Sequence, residues 1–547
     1  MSLNIKKSLA AVRLFSVFAI ALLILAAAGM PARAAERTGA IVSCLISGDH
    51  VVCTTSFSQV PASDDGMVYV FADEVWQDGC TGQIVGQGAI GQGQIAFPLN
   101  FNTPSSNLSR KFILAVKQGG RFVQVSDEHY ITNPEAFSTY AAPRRDHGIK
   151  GILPDPARLA YEELLDLGVQ QAAYNISLGD IVGESSNPAV FPTTYYSYDG
   201  AVYAFDTYRL SSYDNVIKNF SDRGIQVTIN ILNNMSPKGM DLIHPLARDG
   251  KVCPNYAFNT ADAAGTNHLK AIAAFLGQRY SGLQGFGQVD NWIVGNEINA
   301  RTEQYYLASD NIELNVSEYH KAFRIFYNGI RSVNATAMIY NSIDQEWGRK
   351  SNPGSFLSRE YLDRFNYYVN REGNIDWGLS FHPYNSPLYD PYTWLGYDVW
   401  VHKDFLTPYI TMQNLYLLTD YMHQPQFLNP YGDVRSISIS EIGFTSSFGD
   451  QLQCASIVYG YLQAKANPDI DSFILYRQTD HADEIKSNIA QGLVSVAGTH
   501  KPAYDFYKYI DTPSAGPYIQ QASAIIGQDV NSLIGIRDFQ VRGGWTD

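Results

Sequence analysis

Between residues 148 and 476, eight short apolar runs alternate with segments of helical period, and this alternation constrains the fold more than any other feature. The runs fall at 148–153, 171–178, 225–232, 291–297, 337–342, 377–384, 436–444 and 472–476. Between most of them lie segments with apolar residues three and four apart, at 156–167, 211–223, 265–280, 316–333, 409–422 and 454–466. Short apolar runs bounded by polar residues and glycine read as strands, and strands alternating with helices make parallel βαβ units. Eight such units with no phosphate-cradling glycine loop are expected to close into a (β/α)8 barrel rather than an open sheet.

Residues before about 140 have a different character. Strand-like runs at 40–46, 51–57, 67–73, 94–99, 111–116 and 122–125 alternate apolar and polar residues and carry no helical period. They predict a small all-β, sandwich-like domain over 36–140, followed by a barrel with a C-terminal extension over 146–547. Gly86, Gly88 and Gly91 form a formal G-x-G-x-x-G, but the dinucleotide reading requires a helix to open there. Strand pattern continues instead, so the glycines are assigned to a turn. The β domain is expected to brace the barrel, with carbohydrate binding as the alternative.

The first 35 residues read as a secretory leader. Lys6, Lys7 and Arg13 precede an apolar run over 14–28, and Ala32-Arg33-Ala34 supplies a small-residue cleavage site. An uncleaved anchor is the second reading. Cleavage removes four basic residues and no acid, lowering the net charge from −14 to −18. So acidic a chain is a poor partner for nucleic acid, and no later stretch has the roughly 18–20 apolar residues of a membrane span. Export permits disulfides, and Cys44–Cys53 or Cys53–Cys80 is expected among the five cysteines. No C-x-x-C or H-E-x-x-H is present, so neither a metal nor another cofactor is expected.

A barrel places its active site at the carboxyl ends of its strands. The fourth run closes on Asn296-Glu297 and the seventh on Ser440-Glu441. A carboxylate among apolar neighbours is costly unless it is paired or neutralised. The fourth and seventh strands lie across a closed barrel, so both side chains reach one central pocket. Two facing carboxyl groups suit glycoside cleavage, one as proton donor and one as nucleophile. The plainer reading makes each glutamate a structural partner of an arginine or a backbone amide.

These residues, with Phe381-His382-Pro383-Tyr384 ending the sixth run and the eight-run order, resemble the retaining glycoside hydrolases of the (β/α)8 superfamily called clan A. The resemblance covers roughly residues 146–510, and the chain as a whole resembles secreted bacterial proteins of this barrel type with an N-terminal β domain. It implies a secreted enzyme that cleaves β-linked oligo- or polysaccharide with retention. Glu297 would be the general acid/base, Glu441 the nucleophile, and Asn296 a partner of the sugar 2-hydroxyl. His382 and Tyr384 would hold the nucleophile and the sugar, with Tyr384 donating to Glu441. Glu297 would be kept protonated beside Trp292 or Tyr384. The carboxyl groups would stand ~5–5.5 Å apart for retention, or roughly 6.5–9.5 Å for inversion.

Two positions depart from the clan's pattern. The second run, around Tyr174-Asn175 and on to Asp180, carries no arginine, and Arg477 is the substitute at hand. Tyr476 stands where the clan places a tryptophan under the sugar. Other polar groups at strand ends are Asn230, Asn233, Asn234, Asp344 and Gln345. In a chain that is 13% aromatic, at least one of Trp347, Trp394 and Trp400 is expected to stack a sugar ring. The competing readings are a glycan-binding barrel without catalysis, and a transglycosylase using the same residues. Sugar identity, endo or exo action and oligomeric state are not legible.

Overall fold

A computed structural model describes residues 37–544 except 139, 144–146, 156, 159 and 160. The leader expected at 1–35, Arg144 and Arg145, and the start of the 156–167 segment lie outside the described residues.

Seven antiparallel strands form the β domain: β1 (Gly39–Ser47), β2 (His50–Phe57), β3 (Met67–Asp73), β4 (Gln83–Ala89), β5 (Gln94–Pro98), β6 (Lys111–Gln118) and β7 (Arg121–Gln124). They pair as a three-stranded sheet, β1-β2-β5, and a four-stranded sheet, β4-β3-β6-β7, around one core containing Cys44, Cys53, Val70, Phe97 and Leu114. The six expected strands are present, and β4 is an addition. It carries Gly86 and Gly88, so the assignment of all three glycines to a turn is corrected: only Gly91, at φ +92°, lies beyond the strand. A Cβ on Gly86 would stand 2.9 Å from Ile95 Cγ2, so glycine lets β4 and β5 pack closely. Cys44 and Cys53 face each other across β1 and β2 with their Sγ atoms 3.3 Å apart, yet all five cysteines are free thiols. Neither expected disulfide is formed.

The eight runs become β8 (Lys150–Ile152), β9 (Gln171–Ser177), β12 (Gln226–Leu232), β13 (Asn291–Val294), β14 (Met338–Asp344), β15 (Gly378–His382), β16 (Ile437–Ile442) and β17 (Ile470–Leu475). They form a closed parallel barrel in chain order, β17 pairing with β8. The fold is therefore a TIM barrel preceded by a small all-β domain. Between β9 and β12 the chain inserts a hairpin of β10 (Thr194–Tyr198) and β11 (Ala201–Phe205). The main helices are α1 (Tyr161–Asp166), α2 (Thr207–Asp222), α3 (Ala263–Arg279), α4 (Ile312–Arg331), α5 (Ser358–Arg371), α6 (Tyr416–Met422), α7 (Asp450–Ala466), α8 (Pro502–Tyr509) and α9 (Gly516–Ile526). Asp206, Asp262 and Asn311 cap α2, α3 and α4 by accepting from backbone amides of the first turn.

Alternation along each strand divides the barrel. Val227, Ile229, Ile339, Ile343, Leu379, Phe381, Ile437, Ile439 and Phe473 face the helices in one continuous core. The inward residues are unusually polar for such a barrel, whose lumen is commonly filled by branched apolar side chains. Asn291 donates to Gln226 and Thr228, Ser438 pairs with Ser472, and Ser380 with Ser440. Tyr340 crosses the floor to reach Ser436 at 2.7 Å, and a Cβ on Gly378 would strike its ring at 2.3 Å.

The β domain packs on the outer helices. Glu74 binds Lys270 of α3 at 2.6 Å and Arg110 at 2.9 Å, Asn328 of α4 donates to Leu108 O, and Tyr130 N donates to Glu372 O at the end of α5. Tyr130 joins the barrel's own core.

Candidate active site

β13 ends one turn before Glu297, and that turn is not ordinary. Gly295 and Glu297 both take left-handed backbone angles, φ +78° and +41°. For a residue with a Cβ this costs on the order of 1–2 kcal/mol, and it persists only where neighbours over-determine it. Here β14 supplies the neighbours. Glu297 N donates to Ser342 Oγ at 3.1 Å, and Ile298 N to Ser342 O at 2.9 Å. The Asn299 side chain donates to Asp344 Oδ1 at 2.9 Å and accepts from Asp344 N at 3.2 Å.

Glu441 reaches the lumen by another irregularity. Between Ile439 and Ile442, β16 carries one residue more than β17. Such a bulge breaks the two-residue alternation. Ser440 and Glu441 therefore both find lumen partners: His382 Nε2 at 3.0 Å from Ser440 Oγ, and Tyr384, whose hydroxyl donates to Glu441 Oε1 at 2.7 Å.

His382 joins the two halves. Its Nδ1 lies 2.7 Å from Glu297 Oε1, with one proton between them. On the other side the Ser440 hydroxyl can donate or accept, so neutral and charged imidazole are both satisfied. Burial opposes the His382 charge, but Glu441, the bond to Glu297, and Asp344 outweigh it and raise its pKa. Burial also raises the Glu441 carboxyl above its usual range; His382 and the Tyr384 hydroxyl pull it back, while the charge of Glu297 pushes it further up. The structure thus corrects one detail. Trp292 does not flank Glu297: it packs on Tyr280 in the helix-facing core. Tyr384 donates to Glu441, with the charge of Glu297 also within its field. His382 is the partner of Glu297.

Asn296 is half-buried, accepting from Asn230 Nδ2 at 3.1 Å and donating to Gln304 at 3.4 Å. Asn233 donates to three backbone carbonyls and Asn234 binds Asp180, so both hold loops. Arg477 does not take up the role of a nucleophile-supporting arginine. Its Nη1 donates to Tyr476 OH at 3.1 Å and Glu484 Oε1 at 3.2 Å, and Tyr476 OH donates to the same oxygen at 2.6 Å. Trp347 is wholly buried, with its Nε1 on Phe405 O and its ring edge-on to Tyr421, so it offers no face to a sugar. Trp394 packs edge-on to Tyr392, and Trp400 lies in a cluster with Tyr409 and Phe539. The tryptophans build the long loops. Exposed aromatic rings do occur there in Tyr389 and Phe448, neighbours at 6.3 Å from the loops after β15 and β16. Sequence reasoning passed over them because tyrosine and phenylalanine are abundant throughout the chain.

A family model described as a family of unknown function (DUF5722) matches residues 142–533, from before β8 to beyond α9. The chain belongs to this family. No curated protein matches this DUF5722 chain. Solved structures similar to it include a family 39 glycoside hydrolase from the gut symbiont Bacteroides cellulosilyticus WH2, at 14% identity over 83% of this chain and 79% of that one, with a TM-score of 0.43. A β-glucosidase from Pyrococcus furiosus shows 14% identity over 70% and 87%, with a TM-score of 0.43. An exo-β-1,4-mannosidase from an Opitutaceae bacterium, strain TAV5, shows 15% over 70% and 62%, with a TM-score of 0.38. With scores below 0.5 these likenesses bear on no chemistry, and the fold rests on the strand order described above. Among the described residues, no group of three or more His, Cys, Asp or Glu side chains is arranged to hold a metal ion, and no helix is long and apolar enough to cross a membrane.

Proposed function

We propose that this protein is an exported glycoside hydrolase that cleaves β-linked oligo- or polysaccharide by double displacement. The observation that carries the reading is the pair of glutamates presented from β13 and β16 into one polar lumen, each with a different partner. Glu297 shares a proton with His382, and Glu441 accepts from Tyr384. That difference in environment divides the labour between two like carboxyl groups. Glu297, with the proton of its pair, protonates the glycosidic oxygen as Glu441 attacks the anomeric carbon. Bond-making to Glu441 and departure of the alcohol leave a glycosyl ester. Glu297 then takes a proton from water, which opens the ester at the same carbon and releases the sugar with net retention. Asn296 would receive the neighbouring hydroxyl, and Tyr384 would stabilise Glu441 as an anion before attack and after release.

A panel of aryl β-glycosides and polysaccharides, with proton NMR of the first-formed anomer, tests the assignment. Glu441→Gln is expected to abolish turnover without rescue by azide, and an activated fluorosugar is expected to label Glu441. Turnover surviving in Glu441→Gln refutes the nucleophile. First-formed product of inverted configuration refutes double displacement. Saturable glycan binding with no turnover and no label would instead make the chain a binding protein.

A further inference from the structure

The turn that carries Glu297 is anchored by a third carboxyl group. Asp344 ends β14, is buried, and spends one oxygen on three donors: Asn299 Nδ2 at 2.9 Å, Ser358 Oγ at 2.6 Å and Glu346 N at 2.8 Å. Its own amide returns to Asn299 Oδ1, so the two residues clasp each other in both directions. Asn299 O in turn accepts from Phe356 N, which ties the same turn to the segment leading into α5. The clasp adds to the bonds from Ser342, His382 and Ala300 N that hold Glu297 in its left-handed angle.

A structural residue alone would be better served by a neutral side chain, because burying a carboxyl group is costly. The groups around Asp344 make the cost larger. Its strongest charged neighbours are Glu297 and Glu346, both acidic. His382 and the Tyr409 phenol also lie within its field. Burial first, then Glu297 and Glu346, push the Asp344 carboxyl up to about 7. A buried negative charge there acts on the site in one sense only: it favours a proton on the neighbouring pair.

We propose that Asp344 is a positioning residue for the Glu297–His382 pair: through Asn299 it fixes the turn that aims Glu297 at His382, and its charge favours the proton those two side chains share. The role rests on the reading of Glu297 as the acid/base, yet it is measured without turnover, so its failure is distinct from the absence of hydrolysis.

The full chain is labelled with 13C,15N-histidine, and the His382 ring is assigned by the signal missing in His382→Gln. Asp344→Asn keeps the acceptor oxygen and removes the charge. The His382 titration midpoint is expected to fall by roughly half a unit to one unit. Ser358→Ala removes one donor from the Asp344 carboxylate and leaves the carboxyl group in place, so it is expected to lower the midpoint by less than Asp344→Asn does. An unchanged midpoint in folded Asp344→Asn overturns the electrostatic half. Asn299→Ser breaks the clasp and keeps the charge. It is expected to abolish the downfield Nδ1–H signal of His382, and persistence of that signal overturns the positional half. The two variants remove different groups, so each decides its half if the other fails to fold.

Discussion

Glu372→Gln should stabilise the protein by an amount that grows as the pH rises from about 4.5 to about 8. Glu372 closes α5 where the β domain meets the barrel, beside a cavity of about 210 Å³ lined also by Tyr130, His320, Lys321 and Arg371. Its backbone oxygen accepts from Tyr130 N, and its Oε2 stands 3.6 Å from His320 Nδ1. His320 offers little help as a cation. Burial holds its pKa well below the usual value, and its Nε2 accepts from Arg324. Burial first, and then the charge of Glu128, push the Glu372 carboxyl up from 4.5 to about 8. A carboxyl group whose folded-state pKa lies above its unfolded one holds its proton longer in the folded state. Folding therefore suffers no penalty below about 4.5, and a growing one up to about 8, above which the penalty is constant. At about 1.4 kcal/mol per unit, the penalty reaches on the order of 5 kcal/mol by pH 8.5, and relaxation of the neighbours reduces it to roughly 2–4. Glutamine keeps the shape and cannot ionise. Thermal unfolding at matched ionic strength should show a raised midpoint for the variant at pH 8.5 and almost no change at pH 5. Equal shifts at both pH values would refute the reasoning, because the effect would then be one of packing alone.

Other outcomes follow from the site. Tyr384→Phe removes a hydrogen bond to a carboxylate, worth about 1.5–3 kcal/mol, so kcat/KM on an aryl glycoside should fall roughly 10- to 100-fold. The acid limb of its pH profile should also move up, since the phenol holds the Glu441 pKa down. An unmoved limb would separate Tyr384 from the ionisation of Glu441. In the unaltered protein, kcat/KM should decline as pH falls through the raised Glu441 pKa, and again as pH rises through that of His382, where the Glu297–His382 pair loses its proton. A rate that stays flat to high pH would deny that the pair supplies the acid. Trp347→Ala should cost about 3–5 kcal/mol of stability in urea unfolding and leave oligosaccharide affinity of the folded protein unchanged. Weaker binding at full stability would return Trp347 to the site.

The barrel was legible because its pattern is redundant: each strand repeats the same outward apolar residues, and eight repeats leave little choice of fold. The strand-end glutamates and Tyr384 were legible because a polar residue closing an apolar run has few places to go. β4 was missed because Gly86 and Gly88 interrupt the alternation that marks a strand. The β10–β11 hairpin was readable and overlooked. Asp199-Gly200 joins two runs rich in Tyr, Val and Phe, and both residues take the positive φ that tight hairpin turns require. Trp347, Trp394 and Trp400 could not be read at all, since a loop tryptophan faces solvent or core according to partners distant in the chain. The same holds for His382. Sequence places it beside Tyr384 at the end of one strand, yet the two side chains serve opposite glutamates.

The extra residue in β16 has a consequence for what this strand can present. Because Ser440 and Glu441 are neighbours in the chain yet both open into the lumen, one backbone segment steadies Glu297 through His382 and presents Glu441 itself. Deleting a single residue between Ile439 and Ile442 would remove that irregularity, though not the one between Ile437 and Ser438, and would hand one of those two side chains to the helix layer. A more regular sheet here would thus separate Ser440 from Glu441, leaving only one of them to the lumen.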